Sequence, residues 1–207
     1  MAELDEIKKN IVGKSVLYID ECGAGTLCGD LIVCGVILNH ITNIEGLTDS
    51  KKISEKKRNF LYPKLIETVN CYHIERISPN VIDDINIRNA RLLGFFNVIQ
   101  QLKTKCDYIV IDGNMLPKNI DKPMDYLIKG DLLLSGLSIA SIIGKVIRDN
   151  EIIEIAKKHP YNLYSLDKHK GYGTKVHMEA LEKHGPILGF HRISYKPVAK
   201  YLNIKET

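Results

Sequence analysis

Two segments of this 207-residue chain run apolar residues straight into acid: Leu17-Tyr18-Ile19-Asp20-Glu21 and Ile109-Val110-Ile111-Asp112-Gly113. Both read as strands, and the ends of strands in an α/β sheet are where sites are usually built. A third segment, Lys129-Gly130-Asp131, precedes a long helical pattern that could return its acid to the same edge. Taken singly, each acid is as simply a strand terminator or a helix cap. As a group they are harder to dismiss. Two carboxylates ~4 Å apart at an effective dielectric of ~20 repel by about 4 kcal/mol, so four together must protonate or hold cations. Oxygen-only donors select Mg²⁺ or Mn²⁺, and two such ions ~4 Å apart can activate water and stabilise a leaving oxygen in phosphoryl chemistry. Asp20 and Glu21 raise one difficulty, because neighbours in a regular strand point to opposite faces. Both can serve one site if the strand ends there, and the turn Gly23-Ala24-Gly25 directly after them supplies that irregularity.

That turn excludes two other chemistries. Gly23-Ala-Gly-Thr-Leu-Cys-Gly29 has the spacing G-x-G-x-x-x-G and leads into a strand, so it lacks the helix N-terminus that holds a dinucleotide pyrophosphate. No Gly-Lys-Ser/Thr follows, so it is not a phosphate-binding P-loop. A hairpin turn needing positive φ accounts for the glycines, and beside metal-ligating acids they would also let backbone amides approach a sugar-phosphate.

The elements that must position these residues follow from pattern. Ser15–Asp20 and Asp30–Leu38 read as a hairpin, Ser54 as the N-cap of a helix to Val69 that Pro63 can kink, and Cys71–Ile77 as a strand with His73 and Glu75 on one face. Ser78-Pro79 starts a further helix, in one or two pieces, to Lys103. Asp107–Asp112 is a fourth strand, Leu137–Lys158 a long buried helix, and Thr174–His184, closed by Gly185 and Pro186, a short last one. The expected class is α/β, a mixed sheet flanked by helices.

Composition narrows the function classes. The net charge of +4 is too small to mark a nucleic-acid binder by itself, but residues 157–207 hold ten Lys/Arg against four Asp/Glu and five of the seven histidines. One end could therefore attract polyanions. No apolar run is long enough for a membrane span, and the first residues lack a signal-peptide core, so a soluble, cytoplasmic protein is expected. Five cysteines without a C-x-x-C pair argue against disulfides and a zinc cage, and predict buried thiols. No repeat or linker marks a boundary, so one domain is expected, with residues from about 160 to 207 as its basic substrate-binding part.

The chain resembles the type 2 ribonucleases H, and ribonuclease HII most closely. The resemblance rests on Tyr18–Gly25, Thr48–Lys57, Ile111–Pro117, Lys129–Asp131, Ser138–Asp149, His169–Thr174 and, less strongly, His191–Pro197, in family order across nearly the whole chain. It implies a ribonuclease H-like fold with a small C-terminal helical extension. It also implies an endonuclease cutting the RNA strand of RNA/DNA hybrids, and 5′ of ribonucleotides embedded in duplex DNA, to leave 3′-hydroxyl and 5′-phosphate ends. Asp20, Glu21, Asp112 and Asp131 would be the catalytic acids holding two Mg²⁺ or Mn²⁺ ions. Gly23, Ala24 and Gly25 would read the 2′-hydroxyl through the backbone, and Tyr172 would pack on the sugar at the junction. This agrees with chemistry, since only the 2′-hydroxyl distinguishes RNA from DNA at one position. The implied setting is ribonucleotide excision repair and replication, with the protein a monomer.

Two departures stand out. Ala24 replaces an arginine usual in the family, which removes one cationic substrate contact, and Asp30 replaces a common proline, which adds a negative charge near the expected metal site. Lys51, Lys52, Lys56, Lys57 and Arg58 read as a solvated helix face, from which the resemblance raises Lys51 to a phosphate contact. Lys168, Lys170 and Lys175 surround Tyr172, a mixture of cations and an aromatic suited to a nucleic-acid backbone, or otherwise a mobile surface loop. The tail histidines show no metal-ligand spacing and read as structural or solvated. Ser141 reads as helix packing and Asp149 as a reserve carboxylate. Two alternatives to the nuclease remain: a binding module with weak cleavage because of Ala24, and an aspartate-nucleophile phosphatase, for which the Asp-x-Asp pattern is missing at Asp20-Glu21-Cys22.

Overall fold

The computed structural model describes residues 4–39 and 53–202. In chain order the elements are helix α1 (Leu4–Ile11), strands β1 (Val16–Cys22) and β2 (Leu31–Leu38), helix α2 (Glu55–Thr68), strand β3 (Cys71–Ile77), helix α3 (Pro79–Leu102), strands β4 (Tyr108–Asp112) and β5 (Met124–Leu127), and helices α4 (Ser135–Ala156), α5 (Leu166–His169), α6 (Lys175–His184) and α7 (Lys196–Ala199). They form two compact units. The first takes residues 1–22, 32–75 and 92–146, and the second 23–31, 76–91 and 147–207.

The first unit is built on a five-stranded sheet of order β3-β2-β1-β4-β5. β1 pairs antiparallel with β2, while β1 with β4 and β4 with β5 are parallel. The hairpin is as the two apolar runs and the glycine turn between them predict. In register, Tyr18 faces Val36 and Asp20 faces Cys34, so these four share one face and Leu17 and Gly35 share the other. Helix α4 covers the Asp20 face: a methyl group on Gly136 would strike the Tyr18 ring at 2.3 Å, and one on Gly144 would touch Cys34. Helix α3 covers the opposite face, with Val98 and Leu102 against Gly35. The three central strands β2, β1 and β4 are largely buried, as strands covered on both sides must be, whereas the edge strands β3 and β5 are mostly only half-buried.

Local signals placed most boundaries. The Ser54 hydroxyl accepts from the Lys57 amide at the start of α2, which contains Pro63, and Thr174 accepts from His177 at the start of α6, which Gly185 closes. Helix α3 comes in two pieces, broken at Asn86 (φ 64°), whose side chain caps the second piece through the Asn89 amide. Strand β5 was not anticipated. It is only four residues, two of them Asp125 and Tyr126, and it exists through pairing with β4 and a hydrogen bond from the Tyr108 hydroxyl to Asp125.

The second unit has its own core, with Leu27, Ile152, Tyr164, Leu166, Leu181 and Phe190 among its buried members. Its helices α5, α6 and α7 are the expected C-terminal helical part. All five cysteines are free; Cys28, Cys34 and Cys106 are buried and Cys22 and Cys71 half-buried. No helix of the described residues is long and apolar enough to cross a membrane.

Candidate active site

The first unit gathers the acids around the ends of β1 and β4. The expectation that β1 stops at Asp20 is corrected. The strand runs through both acids to Cys22, pairing Asp20 with Cys34 and Glu21 with Val33, and it is the parallel ladder with β4 that closes at Ile19 and Ile111. Asp20 and Asp112 are the next residues of that ladder. Parallel neighbours in register share a face, so the two carboxylates lie side by side. The Glu21 amide donates to Asp20 Oδ1 at 2.7 Å, a local bond in place of a ladder bond.

Strand β5 delivers the fourth acid. It ends at Leu127 opposite Asp112, and the chain passes within three residues to a 3-10 turn over Gly130–Leu132 that holds Asp131, which is buried. The Gly130 amide donates to Asp112 Oδ1 at 2.7 Å. A methyl group on Gly130 would stand 2.2 Å from Leu137 Cδ1 and 3.3 Å from that oxygen, so a larger residue would make the Leu137 side chain shift and crowd Asp112.

The electrostatics are those of crowded like charges. The Asp20 carboxyl is held well above its ordinary value, first by burial, then by the neighbouring charges of Asp112 and Glu21. The Ser141 hydroxyl of α4 donates to Asp20 and opposes that shift. Ser141 is therefore more than helix packing: it favours the charged carboxylate. Its signal was the face it shares with Leu137 and Gly144, one turn away on either side, both packed into the first unit. Asp149, the reserve acid, is buried but belongs to the second unit, whereas Asp20, Glu21, Asp112 and Asp131 all belong to the first. Burial, an all-oxygen donor set and mutual repulsion fit a hard divalent cation.

The glycine turn belongs to the second unit. Gly23 adopts φ 91°, and a methyl group there would lie 2.2 Å from Arg148 Nε. The turn's carbonyls are captured from behind. Arg192 Nη1 donates to Gly23 O at 2.7 Å and Ala24 O at 3.2 Å, its Nη2 to Gly29 O at 2.9 Å, and the Tyr195 hydroxyl to Ala24 O at 2.7 Å. Arg148 joins the same turn to the tyrosine loop: Nη2 donates to Thr26 Oγ1 and Cys28 O, and Nη1 to Lys170 O. The Leu27 amide donates to Gly171 O, and the Arg192 amide to Leu27 O. Residues 23–29, 170–172 and 190–195 are thus one hydrogen-bonded platform. Arg148 and Arg192 are 1% and 0% exposed, and neither was anticipated as an organiser of the turn.

The other expected substrate residues divide. Tyr172 is exposed, and so are Lys168 and Lys175. Lys170 is buried, and its ammonium donates to the Asp167 carbonyl. Gly25 is exposed and Ala24 half-buried. Lys51 lies outside the described residues. Asp30 has Glu151, Arg192, Arg76 and Arg148 as its charged neighbours, and burial followed by Glu151 raises its carboxyl despite the three arginines.

Comparison with known proteins decides what this arrangement belongs to. The ribonuclease HII family model matches residues 17–198. The chain belongs to the ribonuclease HII family. Ribonuclease HII of Vibrio campbellii is 45% identical over 193 residues, covering 92% of this chain and 88% of its own. That of Francisella tularensis subsp. tularensis is 44% identical over 188 residues, 91% of this chain and 98% of its own. Among solved structures, ribonuclease H2 from Pyrococcus horikoshii OT3 superposes with a TM-score of 0.75 at 24% identity, over 91% of this chain and 97% of that one. Bst-RNase HIII in complex with Mn²⁺ gives a TM-score of 0.69 at 15% identity, over 94% and 71%. These structures share the ribonuclease H-like fold. As a ribonuclease HII relative, the chain is a metal-dependent endoribonuclease of the ribonuclease H type, which leaves no place for the phosphatase alternative.

Proposed function

We propose that the chain cleaves the RNA strand of RNA/DNA hybrids, and 5′ of ribonucleotides embedded in duplex DNA, leaving 3′-hydroxyl and 5′-phosphate ends. The observation that carries this reading is the crowding of Asp112 and Glu21 on buried Asp20, with the amide of Gly130, the residue before Asp131, bonded to Asp112. Asp20, Glu21, Asp112 and Asp131 would hold two Mg²⁺ or Mn²⁺ ions; when bound, such ions polarise a phosphoryl oxygen and make water a better nucleophile. The Mn²⁺ held by Bst-RNase HIII supports the choice of ion. Ser141 and the Gly130 amide keep Asp20 and Asp112 charged and oriented, while the platform of Gly23, Ala24, Gly25, Lys170 and Tyr172 contacts the duplex. With the carbonyls named above already accepting and the Thr26, Leu27 and Gly29 amides already donating, the amides of Gly23, Ala24 and Gly25 are the groups that would meet a 2′-hydroxyl or phosphate. The basic residues from about 160 to 207 form the substrate-binding part, and the protein works as a monomer in ribonucleotide excision. A duplex with one embedded ribonucleotide, incubated with Mg²⁺ or Mn²⁺, tests this: a 5′ nick at the junction is expected, and binding without product would leave a nucleic-acid-binding module.

Ala24 gives that weaker-cleaving alternative a specific basis, since its methyl group supplies no cation. Ala24→Arg is expected to lower KM for the embedded-ribonucleotide duplex by about three- to tenfold, the effect of one charge-assisted contact. Comparing single-ribonucleotide and long-hybrid substrates shows whether position 24 sets preference. Identical behaviour of both proteins on both substrates would exclude it.

Ser141→Ala should raise the Mg²⁺ concentration for half-maximal activity by about tenfold, because losing a hydrogen bond to a charged group is worth ~1.5 kcal/mol and the carboxylate must be ionised to hold the cation. An unchanged Mg²⁺ titration would contradict the role assigned to this hydroxyl.

A further inference from the structure

Three histidines of the second unit are packed beneath the tyrosine loop. His169 stacks on His177 with ring centroids 4.5 Å apart, and the His177 and His191 rings meet with Nε2 atoms 3.2 Å apart. Both His177 and His191 are fully buried. Their proton positions follow from their backbone partners. The Tyr172 carbonyl can only accept, so His177 Nδ1, 3.0 Å away, carries a proton. The Ile187 amide can only donate, so His191 Nδ1, 2.9 Å away, is bare. Neutral rings then leave a proton on His191 Nε2 and a lone pair on His177 Nε2, the complementary pair that a 3.2 Å contact requires.

We propose that His191 and His177 form a one-directional hydrogen-bond relay, from the Ile187 amide to the Tyr172 carbonyl, that positions Tyr172 for its contact with substrate. The relay rests on the reading of Tyr172 as the residue that packs on the sugar. It makes the two histidines positioning residues, with the exposed tyrosine ring as the group that meets the ligand. The loop needs such a device. Lys170 has φ 52° and Gly171 φ 88°, and a chain turning through two left-handed residues is held only by what surrounds it. Arg148 holds Lys170 O and Leu27 holds Gly171 O, while Tyr172 O accepts from the Thr174 amide of its own loop at 2.8 Å and from His177, its tie to a buried side chain, so three successive carbonyls are each anchored by a different segment. Burial keeps the relay neutral, lowering His177 to about 4 and His191 to about 3.

A metal is the competing use of this cluster, since ligand atoms of Cys28, His177 and His191 lie within 4.8 Å of one another. A metal on His191 Nε2 would move its proton to Nδ1, against the Ile187 N–H. The relay satisfies every donor and acceptor named; the metal does not.

Two measurements on the full chain test the relay. In wild-type protein with ¹⁵N-labelled histidine, nitrogen–proton correlations at neutral pH should show His177 protonated on Nδ1 and His191 on Nε2. The opposite tautomer at either ring, or stoichiometric perturbation of both by added Zn²⁺, overturns the proposal. In steady-state cleavage, His177→Leu should raise KM about tenfold with kcat within about twofold, whereas His177→Asn, whose amide can still donate to the Tyr172 carbonyl, should stay within about twofold of wild type in KM. Equal KM for wild type and His177→Leu, or an equal rise in both variants, overturns it. Should wild-type protein fail to cleave the hybrid, the functional reading fails, and the tautomer measurement still judges the relay.

Discussion

Asp20→Asn is expected to cut Mg²⁺-dependent cleavage by about a thousandfold or more while the protein melts no lower than wild type. Loss of a metal-holding carboxylate removes several kcal/mol of transition-state stabilisation, and ~4 kcal/mol is about three powers of ten. Stability moves the other way because of the crowding. Burial, then Asp112, then Glu21 raise the Asp20 carboxyl above 3.8. A group whose native pKa lies above its unfolded one contributes stability in full below the unfolded value, and that contribution is lost as pH rises through the native value. In metal-free buffer the wild-type melting temperature should therefore drop relative to the variant as pH rises above about 4. Asparagine keeps the shape and can still accept from Ser141 or the Glu21 amide, so no cavity opens. Adding Mg²⁺ should raise the wild-type melting temperature and raise the variant's less. Retained activity, or parallel pH curves for the two proteins, would show that Asp20 belongs to no strained carboxylate cluster.

Legibility in the sequence tracked how local each cause was. The hairpin β1–β2 was readable because two apolar runs flank one glycine turn, and the caps Ser54 and Thr174 act within three residues of themselves. Asp20 with Glu21, and Asp112, stand out in the sequence because they end apolar runs, and Asp131 because it follows a glycine before a helix; their joint role as metal ligands is the proposal made above. Strand β5 was not readable: Met124–Leu127 is short and partly polar, and only its pairing with β4 makes it a strand. That omission hid how the turn holding Asp131 comes to lie against Asp112 through the Gly130 amide. The buried arginines are a different failure. Arg148 shares a helix stripe with Ile152 and Ala156, both buried, so periodicity did place it inward. What periodicity does not give is the partner of a charged side chain on such a stripe. For Arg192 no periodic signal exists; its partners, Gly23, Ala24 and Gly29, lie more than 160 residues away.

Arg192→Met is the sharper test of the platform. Methionine fills much of the apolar volume of the arginine stem but supplies no donor. Gly29 O would lose both its bonds from this side chain, at 3.2 and 2.9 Å, and Gly23 O its bond at 2.7 Å. Buried carbonyls left without donors cost ~1–3 kcal/mol each, so a loss of about 3 kcal/mol or more is expected, and a chain of this size should melt about 10 °C lower. Gly23 O keeps Thr26 Oγ1 at 2.9 Å and Ala24 O keeps the Tyr195 hydroxyl at 2.7 Å, so the turn should loosen without being abolished. Loosening should appear as a higher KM for the embedded-ribonucleotide duplex, because the variant leaves the four acids of the first unit unaltered. Arg192→Lys keeps the charge but cannot fork between Gly23 and Gly29, and should fall between the two proteins in both melting temperature and KM. If the methionine variant melts with wild type, the carbonyls are held by something other than this guanidinium. If lysine restores both quantities fully, charge alone, and not the fork across the two ends of the turn, sets the platform's shape.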